Sequence, residues 1–250
     1  MATKTDHHDT EIFTRRYNDL APLFLDYPKA QESFRKIVSP SDRSLELGIG
    51  SGLFAKAHQS DGYSIDGIEV NPKMVINSCL PQGMPCDRLL QGYSDSKIEI
   101  ISLVDYPFTE AYNIIYSHSG PLFLTKQDGQ IYFEGYSSDR EVNLQVLSRI
   151  LNLISQTKGK FLLNLQENKI EVKLPDGSTF NLKNCTYDID KQTAEKHFEF
   201  VEIDGSVREG GSGTYSRFAC SLEQFKEYVN SFGEYNFEFV DDIWLVISYK

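Results

Sequence analysis

The chain has 250 residues and carries 25 Lys and Arg against 36 Asp and Glu, a formal charge of −11. That length supports a substantial core in one elaborated domain, and an acidic balance without any basic cluster argues against a nucleic-acid partner. Cys79, Cys86, Cys185 and Cys220 are spaced for neither a zinc site nor a redox pair, and no apolar run reaches the length of a membrane span, so no metal, no membrane and a cytoplasmic location are expected.

In chain order, residues 1–10 read as a flexible polar tail, whose His7 and His8 are too few fixed ligands for a metal. Phe13, Tyr17, Leu20, Phe24 and Tyr27 then recur at amphipathic helical spacing, giving an N-terminal helical cap over 11–40. Strand-like runs at 43–48, 63–70, 87–92, 112–117 and 159–166 alternate with helical runs at 51–59, 72–80 and 138–156. That alternation predicts a mostly parallel sheet with helices on both faces. Periodicity does not decide 97–104 between a short strand and a buried helical turn. From about 168 to 220 the texture becomes β-branched and aromatic, with turns at Pro175–Ser178 and Asp204–Gly205, predicting an antiparallel insertion. Ser221 with Gln224 forms a capping-box signature for a helix over 221–232, closed near Gly233. Strands at 235–240 and 243–249 finish the chain as a hairpin around Asp241-Asp242. One domain over 11–250 accounts for the whole pattern.

The most informative stretch is Glu46-Leu47-Gly48-Ile49-Gly50-Ser51-Gly52, a strand running into a glycine turn and a helix. Glycines there permit close approach to a ligand and backbone angles that side chains forbid. A dinucleotide fingerprint requires a glycine where Leu53 stands, which argues against nicotinamide chemistry. Glu46 at the strand tip suits a cationic amino group better than a pyrophosphate. Glu69 follows about twenty residues after the turn, at the end of the second strand, where a carboxylate accepts hydrogen bonds from ribose hydroxyls. Pro72 then opens a helix.

On these two segments, Glu46–Gly52 and Ile68-Glu69-Val70-Asn71-Pro72, the chain resembles the class I S-adenosylmethionine-dependent methyltransferases of small-molecule type. The resemblance runs more weakly from about residue 12 to the C-terminus. It implies a Rossmann-like, seven-stranded sheet with its last strand antiparallel, and S-adenosylmethionine as cofactor with S-adenosylhomocysteine as product. It also implies a small-molecule acceptor, including secondary metabolites, that takes the methyl on nitrogen or oxygen. Val70 is expected on the adenine face and Ser117 beside the methionine part. The third motif departs from the family pattern: Gln91-Gly92-Tyr93-Ser94-Asp95 lacks the usual Gly-Asp, which leaves Tyr93 to stack on adenine or Asp95 to replace the carboxylate, with Ser94 beside them. The family's N-terminal segment often folds over the cofactor, making Tyr17 and Tyr27 candidates for cofactor or substrate contact, and the 168–220 insertion becomes a lid.

Methyl transfer from a sulfonium is an in-line displacement that needs positioning and exclusion of water. The reaction zone expected after the fourth strand is Ser117-His118-Ser119-Gly120-Pro121. For a hydroxyl acceptor, His118 with a pKa near neutrality would act as base, contributing on the order of 10² to 10⁴ in rate; the ordinary alternative is a histidine that shapes the loop. Tyr116 alternates away from Ser117 and reads as core. Tyr215 and Arg217 in the insertion are substrate-binding candidates, although a surface ion pair is the ordinary reading of Arg217. His58 and His197 read as structural or exposed. Competing functions are protein or nucleic-acid methylation, disfavoured by Ser117-His118-Ser119-Gly120 where an Asn-Pro-Pro-aromatic tetrad would stand, and a noncatalytic cofactor-binding scaffold. The sequence leaves a monomer and a homodimer equally open.

Overall fold

Thirteen strands order the chain in the computed structural model, which describes residues 19–23, 26–77 and 97–250. Residues 19–23 are helical and lead to α1 (Tyr27–Ile37), β1 (Arg43–Leu47), α2 (Leu53–Gln59), β2 (Ser64–Glu69), α3 (Pro72–Asn77) and β3 (Ile98–Ile100). Then come β4 (Ile114–Ser117), β5 (Phe123–Gln127), β6 (Gln130–Glu134), α4 (Arg140–Thr157) and β7 (Lys160–Glu167). The insertion is β8 (Glu171–Lys173), β9 (Thr179–Asp188), β10 (Thr193–Val201) and β11 (Val207–Ser221), and the chain closes with α5 (Leu222–Asn230), β12 (Tyr235–Val240) and β13 (Trp244–Tyr249).

Seven of these strands form the expected Rossmann-like sheet. Its order is β3-β2-β1-β4-β7-β13-β12, with β13 antiparallel to both of its neighbours and the first five strands mutually parallel. Period-two alternation sends side chains to two separate cores. Leu45, Leu47, Ile115, Phe161, Leu163, Leu245 and Ile247 meet helices α4 and α5 on one face. Ile65, Ile114, Tyr116, Leu162, Trp244 and Val246 meet α1 and α2, through Phe34 and Phe54, on the other. Helix α4 is capped by the Asp139 carboxylate, which accepts from the amides of Glu141 and Val142, and α5 by the reciprocal Ser221–Gln224 box that its sequence announces.

The six remaining strands extend the sheet rather than forming a separate layer. Strand β7 outruns the parallel sheet: Lys160–Asn164 lie against β13, whereas Leu165–Glu167 pair with Leu124–Lys126 of β5. From β5 the ladder continues through β6, β11, β10, β9 and β8 in antiparallel pairs. The expected insertion thus appears within a larger curled sheet, and its turns fall at 174–178 and 202–206. The β5–β6 hairpin around Asp128-Gly129 had no counterpart in the sequence reading, although both turn residues have positive φ, 51° and 78°. The undecided stretch 97–104 splits, with a three-residue strand at its start and a turn after it. The expected strand at 87–92 lies outside the described residues.

Candidate functional site

Strand order reverses between β1 and β4, which have neighbours reached by connections running in opposite directions. In open α/β sheets the crevice beyond the carboxyl ends of such strands is the binding position. Here it is bounded by the glycine turn after β1, the end of β2, and residues 118–121 after β4.

Gly48, Gly50 and Gly52 all have left-handed backbones, with φ of 65°, 55° and 69°. A tightly wound turn results, in which the Ile49 amide donates to the Ile68 carbonyl at 3.0 Å and the Gly52 amide to the Ile49 carbonyl at 2.8 Å. Glu69 ties this turn to the tip of β2. Its Oε2 accepts from the Gly50 amide and its Oε1 from the Asn71 amide, both at 2.9 Å. Val70, next to it, is an apolar side chain that is 52% exposed.

Glu46 is 2% exposed. Its Oε2 accepts from the Tyr116 hydroxyl at 3.0 Å. Burial raises the Glu46 carboxyl well above the usual carboxylate range; the Tyr116 bond opposes that shift and the Glu69 charge adds to it. Two carboxylates beside one crevice disfavour each other's ionisation and are relieved by a bound cation. Tyr116 is in the core as alternation required, yet its hydroxyl makes it part of the site.

His118 leaves β4 into an aromatic box. Its ring stacks on Phe54 at 4.1 Å and 22°, meets Tyr27 edge-on at 4.9 Å, and lies 5.7 Å from Trp244. It is 3% exposed, and its Nε2 is buried without a hydrogen-bond partner among the described residues. Burial, reinforced by His58, pushes its pKa down to about 3. These surroundings do not give the near-neutral value expected of it. Ser117 is buried, and its hydroxyl accepts from the Leu122 amide at 3.3 Å. Tyr27, at the start of α1, reaches both Phe54 and His118.

On the insertion, Tyr215 and Arg217 share one face of β11 two residues apart. The reading of Arg217 as a surface ion pair does not hold: the residue is 8% exposed. Its guanidinium lies 5.2 Å from the Tyr215 ring centroid and 5.9 Å from that of Phe123. Strand pairing, which sequence periodicity does not specify, draws β11 inward. His58 is fully buried, whereas His197 is half-buried and bonds Thr214 Oγ1 at 2.9 Å. Tyr17, Tyr93, Ser94 and Asp95 lie outside the described residues.

Sequence reasoning missed Phe54, Trp244 and the Glu134–Lys196 pair. Phe54 had a signal in its four-residue spacing from His58 on α2. Trp244 had none, because only the fold of the C-terminal hairpin brings it to α1, where its Nε1 donates to the Ala30 carbonyl at 3.1 Å.

No protein-family model and no curated protein sequence matches the chain. Solved structures do match over essentially the full length. The CcbJ methyltransferase from Streptomyces caelestis aligns with 99% of this chain and 100% of its own at 13% identity, with a TM-score of 0.67. The sugar N-methyltransferase KedS8 from Streptoalloteichus aligns with 100% of this chain and 98% of its own at 13% identity and TM-score 0.60. CalS10 from Micromonospora echinaspora, an amino pentose methyltransferase solved with S-adenosylmethionine bound, aligns with 96% of this chain and 98% of its own at 11% identity and TM-score 0.60. Strand order, crevice position and these alignments agree: the chain has the class I S-adenosylmethionine-dependent methyltransferase fold.

Proposed function

We propose that this protein transfers the methyl group of S-adenosylmethionine to a nitrogen or oxygen of a small-molecule acceptor, releasing S-adenosylhomocysteine. The observation that carries the reading is the pair of buried carboxylates, Glu46 and Glu69, at a turn of three left-handed glycines. That donor set fits a ligand bearing a ribose and two positive centres. Glu69, at the tip of β2, would meet the ribose hydroxyls; Glu46 would face the cationic amino group; Val70 would lie against the base. Bound there, the cofactor supplies an electrophilic methyl on a positively charged sulfur.

The chain's own residues then have to hold the nucleophile and exclude water. His118 is neutral at physiological pH, and its Nε2, without a partner among the described residues, is an acceptor in the Nδ1–H tautomer. With Tyr27 and Phe54 packed against the ring, it receives a hydrogen bond from the acceptor's N–H or O–H, and so orients the lone pair, only when Tyr27 moves aside. A strongly depressed pKa makes it an orienting group more than a proton store. Tyr27 closes over it, and Tyr215 and Arg217 border the same opening from the lid. The sugar and amino pentose substrates named for KedS8 and CalS10 make amino sugars the first acceptors to offer.

Calorimetry with S-adenosylhomocysteine tests the cofactor site. Wild type binds in the micromolar range and Glu69→Ala weakens binding at least tenfold; equal binding by both proteins refutes the ribose assignment. Labelled methyl offered with amino sugars, small amines and phenols tests the transfer. With an acceptor in hand, His118→Ala lowers turnover about a hundredfold while cofactor affinity stays within twofold. Unchanged turnover removes His118 from the chemistry, and cofactor binding with no transfer across the panel favours a scaffold.

A further inference from the structure

The segment after β4 is held in a costly conformation. Ser119 has φ 62°, a left-handed backbone on a residue with a side chain, and Gly120 has φ 134°. A serine in that region persists only where its surroundings over-determine it. Three elements do so here. From the first, a Cβ added to Gly48 would lie 2.6 Å from Pro121 Cδ and 3.0 Å from the Gly120 carbonyl oxygen, so the cofactor turn and this segment are wedged together without space for a methyl group. From the second, the Ser117 hydroxyl takes the Leu122 amide at 3.3 Å. From the third, Arg217 Nη1 donates to the carbonyls of Pro121 at 3.3 Å and of Gly135 at 3.4 Å. Gly135 is itself anchored, because its amide donates to the Phe218 carbonyl at 2.8 Å.

We infer that Arg217 is a positioning residue: from lid strand β11 it clamps Pro121 and so sets the 118–121 segment against the Gly48 turn. The inference rests on the proposed cofactor site for its meaning, but the clamp itself is a property of the ligand-free chain. Arginine suits the task because one planar guanidinium reaches two carbonyls while lying between two aromatic rings. A lysine has donors enough for two carbonyls, but its ammonium lacks the planar group that lies against the two rings.

The experiment uses full-length wild type, Arg217→Met, Arg217→Lys and, as a control on the same face of the lid, Tyr187→Phe. Backbone hydrogen exchange is followed over 117–122 without ligand, together with S-adenosylhomocysteine affinity. Arg217→Met should speed exchange at Leu122 and its neighbours at least tenfold and weaken S-adenosylhomocysteine about tenfold, although residue 217 belongs to the lid. Arg217→Lys should fall between, and Tyr187→Phe should change neither reading even where it lowers the melting temperature. Exchange over 117–122 that is the same in Arg217→Met and wild type overturns the clamp, as does an equal rise in Tyr187→Phe. Should wild type bind no S-adenosylhomocysteine, the functional reading fails while the exchange result still decides the clamp.

Discussion

His58 is a fully buried histidine whose two ring nitrogens have no hydrogen-bond partner among the described residues. Phe34, Phe54 and Tyr63 surround it, with ring centroids at 4.6, 4.7 and 5.4 Å. Burial, with the Arg35 charge, lowers its pKa to about 4. The folded chain therefore binds fewer protons than the unfolded chain between about pH 6.5 and 4. Stability due to the neutral ring is fully present above pH 6.5 and is lost as the pH falls toward 4, by about 3 kcal/mol for a shift of this size. Replacing His58 with Phe should flatten the dependence of melting temperature on pH between 7 and 4.5. A variant that keeps the wild-type slope would show that other groups govern acid unfolding. His118, pushed down chiefly by burial, contributes to the slope that remains in the variant. The residue scale also shows how far sequence reading reached: Glu46 and Glu69 could be located by their distance from the glycines, whereas the Tyr116 hydroxyl on Glu46 depends on two strands 70 residues apart in sequence.

At the scale of an element, the antiparallel sheet beyond β7 is organised around a buried ion pair. Lys196 Nζ lies 2.6 Å from Glu134 Oε1, with side-chain exposures of 5% and 0%. The same oxygen accepts from Thr125 Oγ1 and the Tyr187 hydroxyl, both at 2.6 Å. Burial pushes the Glu134 carboxyl up, but Lys196 and these bonds outweigh it and hold it below its usual range. Burial likewise opposes the Lys196 charge, and Glu134 restores it. Asn168, just past β7, accepts from Lys196 at 3.1 Å and donates to Gln127 on β5 at 2.8 Å, which draws the far strands back toward the root of the sheet. Removing one partner strands the other charge in the interior. Lys196→Met should cost about 3–5 kcal/mol in urea unfolding, and Lys196→Met combined with Glu134→Leu should recover most of it. A cost below about 1 kcal/mol for the single variant would mean that Glu134 simply takes up a proton or gains water. None of this was visible in sequence, because Lys196 and Glu134 are 62 residues apart on strands that do not pair with each other.

For the whole molecule, the alternation of strand and helix indicated a mostly parallel sheet covered by helices on both faces, while its seven strands with the last antiparallel followed from the resemblance carried by Glu46–Gly52 and Ile68–Pro72. The reason is local: side-chain periodicity and glycine dihedrals are properties of short segments. The glycine turn, the two carboxylates and the terminal hairpin belong to that part. Tertiary structure alone decided that β7 serves two ladders, that the β5–β6 hairpin joins the antiparallel insertion to the parallel sheet, and that Arg217 turns inward to the segment after β4. It also decided that His118 is sealed in an aromatic box, which sets its proton affinity. Those outcomes depend on which distant strands pair and on what then covers each side chain, and burial and charge proximity are not properties of any short stretch of chain.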